Sequence, residues 1–209
     1  MINSVLGVVL AGGLATRMGG ADKGLLSLGH YQILDEVLRR LSPQVDCVVI
    51  NANGDPNRFK QYNYPIIADT VEGYLGPLAG VLSAMKYATA KQKKFVATVA
   101  VDTPFFPLDF VDRCLAKALE DRTSIVLAAS YNPDRELWIR QPTFGLWDVS
   151  LSHALEASLE DGVRKIIAWT DAMGCSSVNF PNDRKNYDPF FNVNTPRDLA
   201  LAKKVSSHK

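Results

Sequence analysis

The 209-residue sequence predicts an α/β fold, a mostly parallel sheet covered by helices on both faces, on three observations. Short apolar runs rich in β-branched residues recur along the chain, amphipathic stretches alternate with them, and the runs are too continuously apolar to leave one face in water. Strands buried on both faces need helices above and below, which gives a doubly wound, three-layer α/β/α arrangement of the Rossmann-like kind. With 47% hydrophobic residues the chain can bury one large core, so a single domain over residues 1–209 is expected.

The first run, SVLGVVL (residues 4–10), resembles the apolar part of a signal peptide. It lacks a basic segment before it and is too short to span a bilayer, so a buried strand of a cytoplasmic protein is expected. ILDEVLRRL (33–41) places apolar residues at spacings of three and four and reads as a helix. DCVVIN (46–51) and YPIIAD (64–69) read as strands, LAGVLSAMKYA (78–88) as a helix, KFVATVAVD (94–102) as a strand, LDFVDRCLAKALE (108–120) as a helix and SIVLAAS (124–130) as a strand. From there YNPDRELWIRQPTFGLWDV (131–149) mixes charges and aromatics, which suits an excursion or a hairpin at the sheet edge. SLSHALEASLED (150–161) and VRKIIAWTDAM (163–173) are helical in pattern. FFNVNTPRDLALAKKV (190–205) reads as a short strand followed by a helix with Thr195 at the N-cap, Pro196 in the first turn and Asp198 completing a capping box.

Twenty-three basic residues against 22 acidic give a net charge of +1, so no field of one sign points to nucleic acid or a membrane surface. An anionic ligand must be caught locally. Cys47, Cys114 and Cys175 are odd in number and far apart, which argues for inert thiols rather than a disulfide framework or a zinc site. His30, His153 and His208 fall in a turn, a helix and the tail, so no histidine base is expected.

The place where such an anion would be caught is LAGGLATRMGGADKG (10–24), directly after the first strand. In a doubly wound sheet ligands bind beyond the carboxyl ends of the strands, and this loop lies there. Its glycines are spaced neither as the dinucleotide fingerprint G-x-G-x-x-G nor as the ATPase loop. What it offers is backbone N–H groups that can approach a ligand closely, with Arg17 as a planar fork and Lys23 as a point charge for phosphate oxygens.

LAGGLATRMGGADKGLL resembles the opening motif L-A-G-G-x-S/A-x-R-M-G-G-x-D-K of the molybdenum cofactor guanylyltransferases, within the wider nucleotidyltransferases. VVINAN (48–53), IADTVEGYLGPLAGVLSAM (67–85), VDTPFFPLDFV (101–111) and FFNVNTP (190–196) continue the resemblance in the family's order across the whole chain. Two departures stand out: the family often has P-C-D-T-P where this chain has Ala100 to Pro104, and a histidine where Gln141 stands.

The resemblance implies a nucleotidyltransferase fold in which the half about 1–105 binds nucleotide and the half about 106–205 binds the acceptor. It implies that GMP passes from GTP to molybdopterin carrying molybdenum, with Mg2+ as cofactor. Molybdenum-cofactor or target-enzyme proteins would be the macromolecular partners. Leu10, Ala11, Gly12, Gly13 and the catalytic Arg17 and Lys23 would hold the triphosphate. Asp102, at the end of a strand, would bind nucleotide and magnesium and act in catalysis; on position alone the lesser alternative is a turn or helix N-cap residue. Asn51 and Asp69 resemble positions that contact the guanine nucleotide, and are otherwise strand-end turn formers. Gly80 belongs to GPLAG (76–80), whose N–H groups would face the nucleotide or which serves close helix-to-sheet packing. Pro142, Thr143, Asn192 and Asn194 would face the acceptor, the two asparagines sharing one face of a strand or making structural hydrogen bonds. The alternatives are a CTP-dependent transferase acting on molybdopterin or on a sugar or isoprenoid phosphate, and a noncatalytic nucleotide-binding assembly factor.

Overall fold

The structure, a computed structural model, describes residues 4–12, 22–71, 76–182 and 187–206. Seven strands, β1 (Val5–Leu10), β2 (Cys47–Asn51), β3 (Ile66–Ile67), β4 (Phe95–Ala100), β5 (Ile125–Asn132), β6 (Leu137–Asp148) and β7 (Ser176–Phe180), form one sheet in the order β3-β2-β1-β4-β6-β5-β7. Strand β6 runs antiparallel to both its neighbours and the other pairings are parallel. Among the described residues six α-helices accompany the sheet: α1 (Ile33–Leu41), α2 (Pro77–Ala90), α3 (Phe110–Asp121), α4 (Ser152–Glu160), α5 (Ile166–Met173) and α6 (Pro196–Ser206).

All six residues of β1 are buried, and their alternation divides the core in two. Val5 and Val9 pack with Ile33, Leu34 and Val37 of α1 and Phe110 of α3 on one face. Leu6, Val8 and Leu10 pack with Leu78, Val81 and Met85 of α2, Leu155 of α4 and Trp169 of α5 on the other. Burying a side chain of this kind stabilises by about 1.5–3 kcal/mol, so β1 contributes to both core layers. The expected α/β/α layering is therefore observed. Among the described residues no helix is long and apolar enough to cross a membrane.

Several local expectations change. The segment 131–149 does not form an edge hairpin: β6 lies inside the sheet between β4 and β5. Its charges collect in the turn around Asp134 to Glu136, while Phe144 to Trp147 are buried, so the mixed composition marked the projecting tip and not the strand's place in the sheet. The edge is taken by β7, whose SSVNF sequence has too few apolar residues to stand out. Only two residues of YPIIAD pair, as β3. Residues 190–195 form a turn and an irregular stretch and not a strand, because Val193 bonds the Asp102 carbonyl singly, with no ladder. The helix that follows has the expected capping box: Thr195 N–H donates to Asp198 at 2.8 Å and Asp198 N–H donates to the Thr195 hydroxyl at 3.2 Å.

The cysteines are free, and burial pushes the thiols of Cys47 and Cys114 up from their ordinary values, which disfavours the reactive thiolate. His30 and His153 are exposed and on separate elements; His208 lies outside the described residues.

Candidate active site

The carboxyl ends of β1, β2 and β4 are held level by two bonds beyond the strands: Ala11 N–H donates to the Asn51 carbonyl at 2.8 Å and Val101 N–H to the Leu10 carbonyl at 3.1 Å. Just past these ends lies a cavity of about 450 Å³, lined by residues drawn from along the chain, from Leu10 to Asn194. Leu10, Ala11, Gly12, Lys23, Asn51, Asp69, Asp102, Thr143, Asn192 and Asn194 all face it, so most of the residues singled out from sequence come together. Gly13 and Arg17 lie outside the described residues, and Pro142 and Gly80 are not part of the lining.

On one wall, Lys23 Nζ donates to Asp102 Oδ2 at 2.8 Å and also to Asn194 Oδ1. The Lys23 and Asp102 side chains keep 21% and 18% exposure, so the pair is sheltered yet reachable from the cavity. Lys23 opens a short 3-10 turn, Lys23–Leu25. A Cβ on Gly24 would come within 2.6 Å of Val101 Cγ2, so only glycine lets this turn approach β4 closely enough for the ion pair. The neighbouring Thr103 hydroxyl donates to Asn192 Oδ1 at 2.7 Å. Asn192 and Asn194 thus converge on the loop after β4 without the strand geometry that the sequence suggested.

Two oxygens, of Asp102 and of Asn194, already converge on one cation, the Lys23 ammonium. Carboxylate and amide oxygens are the hard donors that Mg2+ takes, usually alongside substrate phosphates and water. Among the described residues no group of three or more His, Cys, Asp or Glu side chains is gathered, so the site fits an ion shared with a phosphorylated ligand rather than a protein-only cage.

On another wall the Asp69 carboxylate accepts from Asn51 Nδ2 at 2.9 Å and from Asn53 Nδ2 at 2.8 Å. Asp69 N–H returns a bond to Asn53 Oδ1 at 2.9 Å. Asn53 was not marked from sequence, although its period-two spacing from Asn51 puts the pair on one side of the chain. Gly80, in the first turn of α2, backs this wall: a Cβ there would lie 2.3 Å from Asn51 Oδ1 and 2.9 Å from Leu10 Cδ2. Its place favours the packing role over direct contact. If Asn51 binds nucleotide as the resemblance implies, Gly80→Ala should turn it away from Asp69 and weaken GTP binding about tenfold while the chain stays folded, read by calorimetric titration beside a melting curve.

Behind the cavity a buried aromatic cluster ties the contributing segments together. Phe106 and Phe144 have ring centroids 5.6 Å apart, and Phe144 and Phe190 4.8 Å apart. Each ring follows or precedes cavity residues by a few positions: Phe106 after Asp102 and Thr103, Phe144 after Thr143, Phe190 before Asn192. Register in β6 jumps from Gly145 opposite Leu127 to Gln141 opposite Ala128, so residues 142–144 bulge out. The bulge aims Thr143 into the cavity while Phe144 goes into the core, and Pro142 stands at its base.

A polar row missed from sequence supports the Asp102 loop from below. Glu36, Arg40 and Gln44 recur every fourth residue and are buried at 4%, 6% and 5% exposure. Arg40 Nη1 donates to the Phe106 carbonyl at 2.7 Å, and Gln44 receives Val111 N–H at 2.9 Å. The i, i+4 spacing of Glu36 and Arg40 in α1, continued by Gln44 in the 3-10 turn after it, was the available signal.

Mixed hydrogen-bonding groups and a paired cation and carboxylate at the ends of parallel strands suit a phosphorylated ligand. The family model described as "MobA-like NTP transferase domain" matches residues 7–173, and the chain belongs to that family. It is 43% identical over 208 residues to a molybdenum cofactor guanylyltransferase of Mesorhizobium japonicum, covering 98% of this chain and 97% of that one. A protein of the same name from Shewanella loihica is 36% identical over 201 residues, covering 96% of each. Among solved structures, molybdopterin-guanine dinucleotide biosynthesis protein A from Archaeoglobus fulgidus superposes with a TM-score of 0.76 at 22% identity, over 98% of this chain and 100% of that one. The 4-diphosphocytidyl-2C-methyl-D-erythritol synthase of Anaerococcus prevotii superposes with 0.70 at 16%, over 98% and 96%. At such identities these likenesses concern the fold.

Proposed function

We propose that the protein transfers GMP from GTP to molybdopterin carrying molybdenum, forming the guanine dinucleotide and pyrophosphate. The observation that carries the reading is that one cavity gathers the Lys23–Asp102 pair and the Asn51–Asp69 pair. The first suits reacting phosphates, and the second suits a base that presents N–H donors to a carboxylate. The names of the full-length relatives agree with this division of labour.

In this reading a single domain works in the cytoplasm, its first half holding nucleotide and its second half the acceptor. A terminal phosphate oxygen of the pterin attacks the α-phosphorus, and the bond from that phosphorus to the bridging oxygen of the departing pyrophosphate breaks. The attacking oxygen is already anionic, so alignment and charge stabilisation suffice and no histidine base is needed. Leu10 and Ala11 border the triphosphate, Gly12, followed in sequence by Gly13, offers it a backbone donor, and Arg17 and Lys23 grip its oxygens. Asn192, Asn194, Thr143 and Pro142 border the acceptor. Mg2+, when bound, supplies positive charge to the phosphate oxygens, and Asp102, with Asn194 beside it, is the residue to hold it. Lys23 then exchanges its carboxylate partner for phosphate. Molybdenum-cofactor proteins would receive the product.

Incubation with magnesium, molybdenum-loaded molybdopterin and each of the four labelled ribonucleoside triphosphates tests this directly. Label from GTP alone should enter the pterin product, with release of pyrophosphate. Selective turnover of CTP would overturn the guanine assignment, and absence of pyrophosphate release with every nucleotide would favour a binding module.

A further inference from the structure

The nucleotide-type residues on the two walls are joined by a side chain that the proposed chemistry does not use. Arg58 lies in the 3-10 segment Pro56–Tyr62 that follows β2. Its Nη2 donates to the Asn53 carbonyl at 2.6 Å, and its guanidinium stacks on Phe59, 4.9 Å from the ring centroid. Its Nε is buried without a hydrogen bond among the described residues and forms an ion pair with Asp22 Oδ2 at 3.4 Å. Asp22, Asn53 and Phe59 all line the cavity. Asp22 is the residue before Lys23, and its carbonyl accepts from Leu25 N–H at 3.0 Å, so its position fixes the turn that presents Lys23. Asn53 in turn orients the Asp69 carboxylate through two bonds, at 2.8 and 2.9 Å.

We infer that Arg58 is a positioning residue that couples the base-reading Asn51–Asp69 pair to the phosphate-holding Lys23. A guanidinium is suited to this because its planar fork serves two acceptors at fixed angles, here the Asn53 carbonyl on one side and the Asp22 carboxylate on the other. The unsatisfied Nε is the free end of the link: a small inward movement of Asp22 when the cavity fills completes its hydrogen bond and draws Lys23 with it. Base recognition and phosphate grip are then set together, which confines productive alignment to the nucleotide whose base satisfies Asp69.

The inference rests on the proposed GTP reaction. Its test compares GTP with inosine triphosphate, which lacks only the exocyclic amine of guanine, using the full chain with magnesium and the molybdenum-loaded acceptor. For Arg58→Ala the KM for GTP should rise about tenfold and the preference for GTP over inosine triphosphate should shrink by a similar factor. Arg58→Lys keeps a charge facing Asp22 but cannot fork to Asn53, so it should recover part of the KM without recovering the preference, and it serves where the alanine variant folds poorly. A residue that merely supported the fold would lower turnover of both nucleotides equally. An unchanged preference in both variants, with wild-type GTP turnover intact, overturns the coupling alone. A wild-type chain that does not use GTP overturns the function and the coupling together.

Discussion

Asp102→Asn should reduce transfer by about 10²–10³-fold while leaving GTP binding within a few-fold of the wild type. The substitution preserves shape and removes one charge, and it leaves the loop's anchorage in place, because Val193 N–H bonds the Asp102 backbone carbonyl and not the side chain. Loss of a partly exposed ion pair with Lys23 costs the fold only about 1 kcal/mol, so a large loss of rate cannot be ascribed to unfolding. Lys23→Met should be comparably damaging, and the double variant little worse than either, since residues acting as a unit against one developing charge do not contribute independently. Single-turnover rates at saturating GTP and magnesium, with nucleotide affinity by calorimetry, read both effects. Near-full transfer by the asparagine variant would reduce Asp102 to a turn-forming residue.

Residues whose role depends on chain position were legible in the sequence, and those whose role depends on contacts between distant segments were not. Asn51, Asp69 and Asp102 end or follow apolar runs, so a parallel sheet alone delivers them to one end of the fold. Asp22 and Arg58 are separated by a strand and a helix, and nothing in local pattern brings them to 3.4 Å. The aromatic cluster shows the intermediate case: the phenylalanines of DTPFF, PTFG and FFNVN are visible as apolar residues beside polar ones, yet their convergence requires the antiparallel insertion of β6. That insertion was misread because the charged tip of the hairpin outweighed its buried stem in the sequence. The convergence of Asn192 and Asn194 was anticipated for a strand, and it occurs instead through Lys23 and Thr103 drawing each amide oxygen inward.

Glu36→Gln should be the most destabilising of the substitutions considered, by about 3–5 kcal/mol, or on the order of 10 °C in the melting midpoint. Its carboxylate is 5% exposed and accepts from Arg40 Nε at 2.7 Å, and the Arg40 side chain is 7% exposed. Removing the charge leaves a guanidinium buried beneath the Asp102 loop with neutral acceptors alone, the new amide oxygen and the carbonyls of Phe105 and Phe106. Arg39 also bonds Glu36 but is 58% exposed, so Arg39→Ala should cost no more than about 1 kcal/mol and separates the two contributions. Burial pushes the Glu36 carboxyl up, but the hydrogen bonds and charges of Arg39 and Arg40 outweigh it and hold the group below its ordinary value of 4.5. A carboxyl depressed in the folded state stabilises the fold above its unfolded value, and that contribution fades as pH falls through the lowered folded value. Urea unfolding of wild type and Glu36→Gln should therefore differ fully at pH 7 and converge on acidification below 4.5. A difference that stays constant into acid would mean that shape and hydrogen bonding at Glu36, rather than its charge, hold Arg40 under the site.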